Sequence, residues 1–337
     1  MRKALISLNY QHLIYEAPVS AGTLYQNACA NDKPTIEHWR HAWLGNTSAN
    51  KQKFGSFADN SVASLYQKHQ YMPIIIAGSG PSLKVNAHEL KNRKGIPLVS
   101  CLHNFHYFED LGLAPEYYVS LDAGDITVRE VYTGGEKTPE EYWAMSKERT
   151  LICYVGTHPE LLAKWQGKVI FFNAPVPDDS FMKQMDAIEP FTSYVSSGGN
   201  VLGACLYLAK AVMGGAQIIF VGADLSFGYD EKFYAWKDPF YDTPGNTMVA
   251  YDIYGIPVKT WPSYYGFKQY FDSVTMRVPG VWYNCTEGGI LGSYREGNLA
   301  NFKYMDLKDC LNTLNCNEGI KEQMTDPKAG LRLLLYS

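Results

Sequence analysis

The sequence predicts a doubly wound α/β fold built on a mostly parallel sheet, and three observations carry that reading. Pro73-Ile74-Ile75-Ile76-Ala77 is a short apolar run, closed at once by Gly78-Ser79-Gly80-Pro81-Ser82. Similar runs then alternate with helix-length segments as far as about residue 225. Glycines and carboxylates gather where several of those runs end. Apolar runs without polar alternation suit strands buried on both faces, as parallel sheets require. Their alternation with helical segments is the pattern of βα units.

Taken in order, residues 1–71 are polar and aromatic, with helix-like stretches at Leu24–Cys29, Ile36–Leu44 and Val62–His69. They read as a helical N-terminal appendage. The α/β domain then covers 72–225. After Pro73–Ala77, strands are expected at Ile96–Cys101, Tyr117–Leu121, Leu151–Val155, Val169–Phe172 and Ile218–Val221. Helices are expected at Val85–Lys91, Pro159–Trp165, Phe181–Ile188 and Asn200–Met213. In the last of these, Val201, Leu202, Cys205, Leu208, Ala209 and Val212 follow a 3.6-residue period and mark a core face. Residues 226–337 form an irregular C-terminal extension rich in Tyr, Pro and Gly. Within it, Val249–Ile253 and Ile256–Thr260 flank Tyr254-Gly255 as a hairpin. Ser263–Met276 reads as a helix and Asn284–Asn298 as a glycine-rich loop.

Composition narrows the function. The 337 residues are 46% hydrophobic and 19% charged, which excludes a disordered chain. A net charge of -4 argues against binding a nucleic-acid backbone. No run approaches the roughly 18 apolar residues of a spanning helix, so no membrane span is expected. The apolar stretch Ala4 to Leu8 is interrupted by Asn9, Gln11 and His12 too early for export. Seven cysteines, an odd number without a C-x-x-C pair, fit buried thiols in a reducing, cytoplasmic compartment. The 25 Tyr, 15 Phe and 7 Trp suit either a ring-lined cleft or plain packing.

The sharpest local signal is Gly78-Ser79-Gly80-Pro81-Ser82, where a first strand hands over to its helix. Glycine permits a tight turn there, the two serines can donate, and backbone amides can face an anion. Leu83 stands where a dinucleotide fingerprint has its third glycine, and Pro81 removes one amide donor. Thr133–Thr138 imitates a phosphate loop, but Glu136 occupies the glycine position before Lys137. A second donor-rich turn, Ser197-Gly198-Gly199-Asn200, precedes the core-facing helix. It suits a phosphate or carboxylate, or a simple helix cap by Ser197 or Asn200.

Carboxylates follow two strands. Asp122 and Asp125 come after Tyr117–Leu121, and Asp224 after Ile218–Val221. Ligands of open α/β sheets sit at these strand ends. Asp122 and Asp125 could hold a divalent cation against phosphate oxygens, contact a ribose hydroxyl, or simply cap turns. His103 and His106, on either side of Asn104, could belong to a site or to packing. All eight histidines lie at or before His158, and there is no G-x-S-x-G elbow.

Five of these strings, in order, resemble the MptE-like family of archaeal 6-hydroxymethylpterin diphosphokinases and bacterial motility accessory factors. They are Ile75–Leu83, Asn104 followed by Leu113–Asp122, Ser197-Gly198-Gly199, Phe220–Ser226, and Asn284–Gly289. The last resembles the motility accessory factors in particular. The family in turn is similar, in its first motif and Rossmann-like core, to bacterial sialyltransferases that use CMP-sugars. The resemblance implies a nucleotide held by Gly78, Ser79, Gly80, Pro81 and Ser82, with Asn104 and Asp122 near its base or ribose. Ser197, Gly198, Gly199 and Asn200 would then lie near the phosphates. Those sialyltransferases use a histidine base from the later half of the chain, where this sequence has none. Asp224, Glu287 or a tyrosine would have to take that role, with Thr286, Gly288 and Gly289 on the substrate.

The expectation is therefore a cytoplasmic transferase that passes a glycosyl group from a CMP-type nucleotide sugar to a small-molecule or protein acceptor. One alternative is a pterin diphosphokinase using ATP and Mg2+, with Asp122 and Asp125 on the metal. The other is a nucleotide-binding or interaction module without turnover.

Overall fold

The computed structural model describes residues 21–176, 178–236, 245–292 and 302–316, with 21–33 and 315–316 described as backbone alone. The N-terminal stretch Ala4 to Leu8 and the 293–298 part of the glycine-rich loop lie outside the described residues. Ten strands follow in chain order. They are β1 (Pro73–Ala77), β2 (Leu98–Cys101), β3 (Tyr117–Ser120), β4 (Thr150–Tyr154), β5 (Lys168–Phe172), β6 (Gln217–Val221), β7 (Met248–Tyr251), β8 (Pro257–Thr260), β9 (Val281–Asn284) and β10 (Lys303–Tyr304). Every strand candidate of the sequence is present, within two residues at each end. The fold is α/β with parallel pairing throughout except in the β7–β8 hairpin.

The chain groups into two units. The first unit comprises residues 1–24, 69–97 and 215–337. Its parallel strands run in the order β10-β9-β6-β1. Ile74, Ile75 and Ile76 of β1 and Ile218, Ile219 and Phe220 of β6 are fully buried. That is why these runs carry no polar alternation, and each such side chain contributes about 1.5–3 kcal/mol. The hairpin turns on Asp252, whose Oδ1 accepts the amides of Tyr254 and Ile256, both at 2.8 Å. Helix Pro262–Arg277 follows it.

The second unit comprises residues 25–68 and 98–214, with parallel strands in the order β2-β3-β4-β5. Its N-terminal part is helical, as expected, but more continuous. A single helix, Ala21–Phe54, runs through Pro34, although that residue lacks the amide a helix interior uses. The helix is fastened to the loops after β3 and β4. Asn46 Nδ2 donates to the carbonyls of Ala123 (3.1 Å) and Gly156 (3.0 Å). One turn on, Asn50 Nδ2 donates to Val155 (2.9 Å) and Thr157 (2.8 Å).

Four expectations need correction. Val85–Lys91 is a short helix Leu83–Asn86 followed by a 3-10 segment Ala87–Asn92. Val62–His69 is helical only over Val62–Leu65, because Gln67 takes a positive φ of 56°. The helix expected at Asn200–Met213 is α-helical over Val201–Tyr207 and widens into a π turn at Leu208–Val212. Asn284 ends strand β9 rather than opening a loop.

Candidate functional site

In the first unit, strand register decides which segments meet. Ala77 pairs with Val221, and Phe220 pairs with Asn284. The turns leaving β1, β6 and β9 therefore emerge side by side at the carboxyl ends of three adjacent parallel strands. These turns carry Gly78–Ser82, Asp224 and Thr286–Gly289, segments more than a hundred residues apart in sequence at their widest.

Asp224 is the hub of that junction. Ser82 Oγ donates to its Oδ2 at 2.7 Å, and the Ser82 amide donates to its Oδ1 at 3.2 Å. Gly80 is required by this approach, since a Cβ there would lie 2.0 Å from Asp224 Oδ2. On the other side, the Ile290 amide donates to the Asp224 carbonyl at 2.7 Å, and a Cβ on Gly289 would lie 2.3 Å from Asp224 Cα. Asp224 is 4% exposed. Burial pushes its carboxyl up to about 7, against the lowering effect of the Ser82 hydrogen bonds. A carboxyl poised near neutrality can take or give a proton at physiological pH.

Thr286 and Glu287 join the junction in different ways. Thr286 Oγ1 accepts the Ala223 amide at 3.3 Å, which stitches the β6 and β9 turns together. Glu287, at a positive φ of 62°, turns its carboxylate to protein donors. Its Oε1 accepts from Asn86 Nδ2 at 3.0 Å and from the amide of Leu307, which opens helix Leu307–Cys316, at 3.1 Å. Asn86 Nδ2 also donates to the Cys285 carbonyl at 3.0 Å. Glu287 thus anchors a helix start. Gly288 is the more open position: a Cβ there would stand 3.7 Å from Asp224 Oδ1, an ordinary contact distance.

In the second unit, Asn104 follows β2 and is fully buried, its Nδ2 donating to Ser100 Oγ at 2.9 Å. Asp122 follows the adjacent β3. Its surface is open to water, yet the protein massed around it desolvates the carboxylate and raises its pKa, with His103 acting in the opposite sense. Asp125 differs: it is exposed and faces Arg129 Nη2 at 3.2 Å, one helical turn away. His106 is buried, with Nδ1 3.2 Å from the Glu130 carbonyl, and serves packing.

Of the residues of the second glycine turn, Asn200 is the helix cap, its Oδ1 accepting the Gly203 amide at 2.8 Å. Gly198 and Gly199 adopt φ of 56° and 84°, which side-chain-bearing residues rarely take. Ser197 Oγ accepts the Gly199 amide at 3.2 Å, which holds the turn closed.

With this geometry in place, comparison with known proteins is informative. The family profile described as "6-hydroxymethylpterin diphosphokinase MptE-like" matches residues 46–230, more than half of the chain. The chain belongs to the MptE-like family. Among solved structures it is similar to the MAf glycosyltransferase from Magnetospirillum magneticum AMB-1, at a TM-score of 0.52 and 15% identity. The alignment covers 83% of this chain and 41% of that one, so the chain spans about two-fifths of that protein. At this identity the likeness establishes the α/β, Rossmann-like fold. No curated protein matches the chain. Both descriptions name transferases.

In this MptE-like chain the matched stretch takes in Gly78–Ser82, Asn104, Asp122, Ser197–Asn200 and Asp224, while Thr286–Gly289 lie beyond it. Sequence reading missed Asn86, which holds Glu287, and the Asn46/Asn50 pair. The latter had a signal: two asparagines four apart inside a helix are unfavourable unless their amides have partners elsewhere. Among the described residues no group of three or more His, Cys, Asp and Glu could hold a metal. Asp125, expected on the metal beside Asp122, faces Arg129 in an exposed ion pair one helical turn away. Among the described residues, no helix is long and apolar enough to cross a membrane.

Proposed function

We propose that this MptE-like protein is a glycosyltransferase that uses a CMP-type nucleotide sugar, with Asp224 as its proton acceptor. The observation that carries this reading is the Asp224 junction: a buried carboxyl near neutrality, fixed by Ser82 at the meeting point of three strand ends. In the reaction, an acceptor hydroxyl forms a bond to the anomeric carbon of the donor. The bond from that carbon to the nucleotide phosphate breaks, and its electron pair leaves with the nucleotide. The acceptor's proton passes to Asp224. Thr286, Gly288 and Gly289 flank this step, and Glu287 is the second catalytic candidate, acting from a carboxylate already anchored by Asn86. For the second unit by itself, Asn104, Asp122 and Ser197–Asn200 are proposed as nucleotide contacts. Its acceptor is a small molecule or a protein, and its compartment the cytoplasm, in keeping with the free buried cysteines 101, 153, 205, 285 and 310.

The test is transfer from a panel of nucleotide sugars by the wild type and by Asp224→Asn. A base at Asp224 predicts a rate that rises with pH through about 7 and falls at least a hundredfold in the variant. An unchanged rate and pH profile in Asp224→Asn rejects the role. The family description favours a second reading, an ATP-dependent pterin diphosphokinase with Mg2+ at Asp122. Thermal shifts with CMP, CDP, UDP, ADP and ATP, with and without magnesium, separate the two. A stabilisation by ATP that requires magnesium selects the kinase. Nucleotide binding without turnover in either assay selects a non-catalytic module.

A further inference from the structure

Asp122, in the second unit, is an exposed residue on a closely held stretch of backbone. Ser120, two positions before it, is still in β3 and pairs with Cys153 of β4. The two residues after it are each fastened. The Ala123 carbonyl accepts from Asn46 Nδ2 at 3.1 Å, and the Gly124 carbonyl accepts from Thr127 Oγ1 at 2.8 Å. A Cβ on Gly124 would lie 3.1 Å from Cη2 of Trp39, so the half-buried indole closes on the backbone there. Asn46 Nδ2 donates to the Gly156 carbonyl as well, at 3.0 Å, which ties the β3 loop to the β4 loop. Trp39 and Asn46 stand about two turns apart on helix Ala21–Phe54, and so on one face of it.

The carboxylate mounted in this way accepts no hydrogen bond from the described residues. Holding it still therefore adds no internal bond to the fold. A fixed carboxylate does benefit a ligand, because the cost of ordering it is met before binding. We propose that helix Ala21–Phe54 positions Asp122 for its nucleotide, with Asn46 and Trp39 as the positioning residues. This deepens the reading of Asp122 as a nucleotide contact and rests on it. Trp39 precedes the family-matched residues 46–230 and Asn46 opens them, so the duty falls to a helix lying mostly outside that stretch.

A double-mutant cycle tests this, read by calorimetric titration of the full chain with CMP, and with ATP and Mg2+ as the second probe. Asp122→Asn should weaken the better-bound probe by about tenfold. Three variants disturb the mount: Asn46→Ala removes the donor, Gly124→Ala crowds the indole, and Trp39→Phe shortens the ring. Each should weaken the probe by about fivefold in the wild-type background, but by less than about twofold once residue 122 is asparagine. Circular dichroism at the titration temperature restricts the comparison to folded variants, and Trp39→Phe is the mildest of the three. A loss that depends on Asp122 in any of them supports the helix's role. Losses of equal size in both backgrounds would make Asn46 and Trp39 general supports of the fold and overturn the inference, as would wild-type affinity in every folded variant. An Asp122→Asn protein that binds as the wild type does, or a wild type that binds neither probe, strikes the nucleotide reading of Asp122 itself, and the inference falls with it.

Discussion

Gly78–Ser82 and Ser197–Asn200 look alike in sequence, each a knot of glycine and serine before a helix, yet their glycines answer different needs. In the first, Gly80 keeps an ordinary backbone and is glycine because Asp224 leaves no space for a Cβ. In the second, Gly198 and Gly199 are glycine because the chain turns left-handed there. Their donors differ as well. The first turn uses nearly every amide internally, whereas Gly198, Val201 and Leu202 in the second have no protein acceptor among the described residues. A glycine-rich string therefore says where a chain bends or touches, and the use of its amides says what it can bind.

The comparison can be broken at several points. The largest effect is expected at Gly289, where a side chain meets the backbone of Asp224 and φ is +70°. Gly289→Ala should cost about 3 kcal/mol or more of unfolding free energy, read by denaturant titration. Asp224→Asn comes next, with a dependence on pH. The folded carboxyl titrates near 7 and the unfolded one near 3.8, so the stability it gives is full below about 4 and is lost as pH rises through 7. The melting temperature of Asp224→Asn relative to wild type should thus climb from acid to mildly alkaline pH, by the equivalent of about 4 kcal/mol at the outside. A flat difference would show that burial does not raise the Asp224 carboxyl above its unfolded value.

Asparagine separates the two kinds of glycine, since it tolerates left-handed backbone but still carries a Cβ. Gly198→Asn should cost about 1 kcal/mol or less, and Gly80→Asn distinctly more. Equal costs would erase the distinction. Of similar small size is Asn200→Ala, a lost helix cap worth about 1 kcal/mol by thermal unfolding.

The sheet was legible because β1 to β6 are buried on both faces, and that burial writes itself as unbroken apolar runs. Strand β9 was not, because Trp282 and Tyr283 sit against a polar Asn284 and the run is too mixed to announce itself. The long helix read only as the separate stretches Leu24–Cys29 and Ile36–Leu44, and its fastening by Asn46 and Asn50 is polar and depends on carbonyls far along the chain. At the site, each string could be found, but not the contact between Ser82 and Asp224. Local sequence encodes turns; which turns touch is fixed by strand order, and β1 lies beside β6 across four intervening strands of sequence.

That strand order also sets a timetable for synthesis on the ribosome. Asn50 emerges long before the carbonyl of Val155, 105 residues later, and Ser82 must wait 142 residues for Asp224. A nascent chain therefore carries the first glycine turn unclosed, with its serine amide and hydroxyl still hydrated, until β6 is made and has slid in against β1. Premature stops before Asp224 should leave a product whose first turn never acquires its internal anion, and which is handled by the cell as unfinished protein rather than as a smaller enzyme.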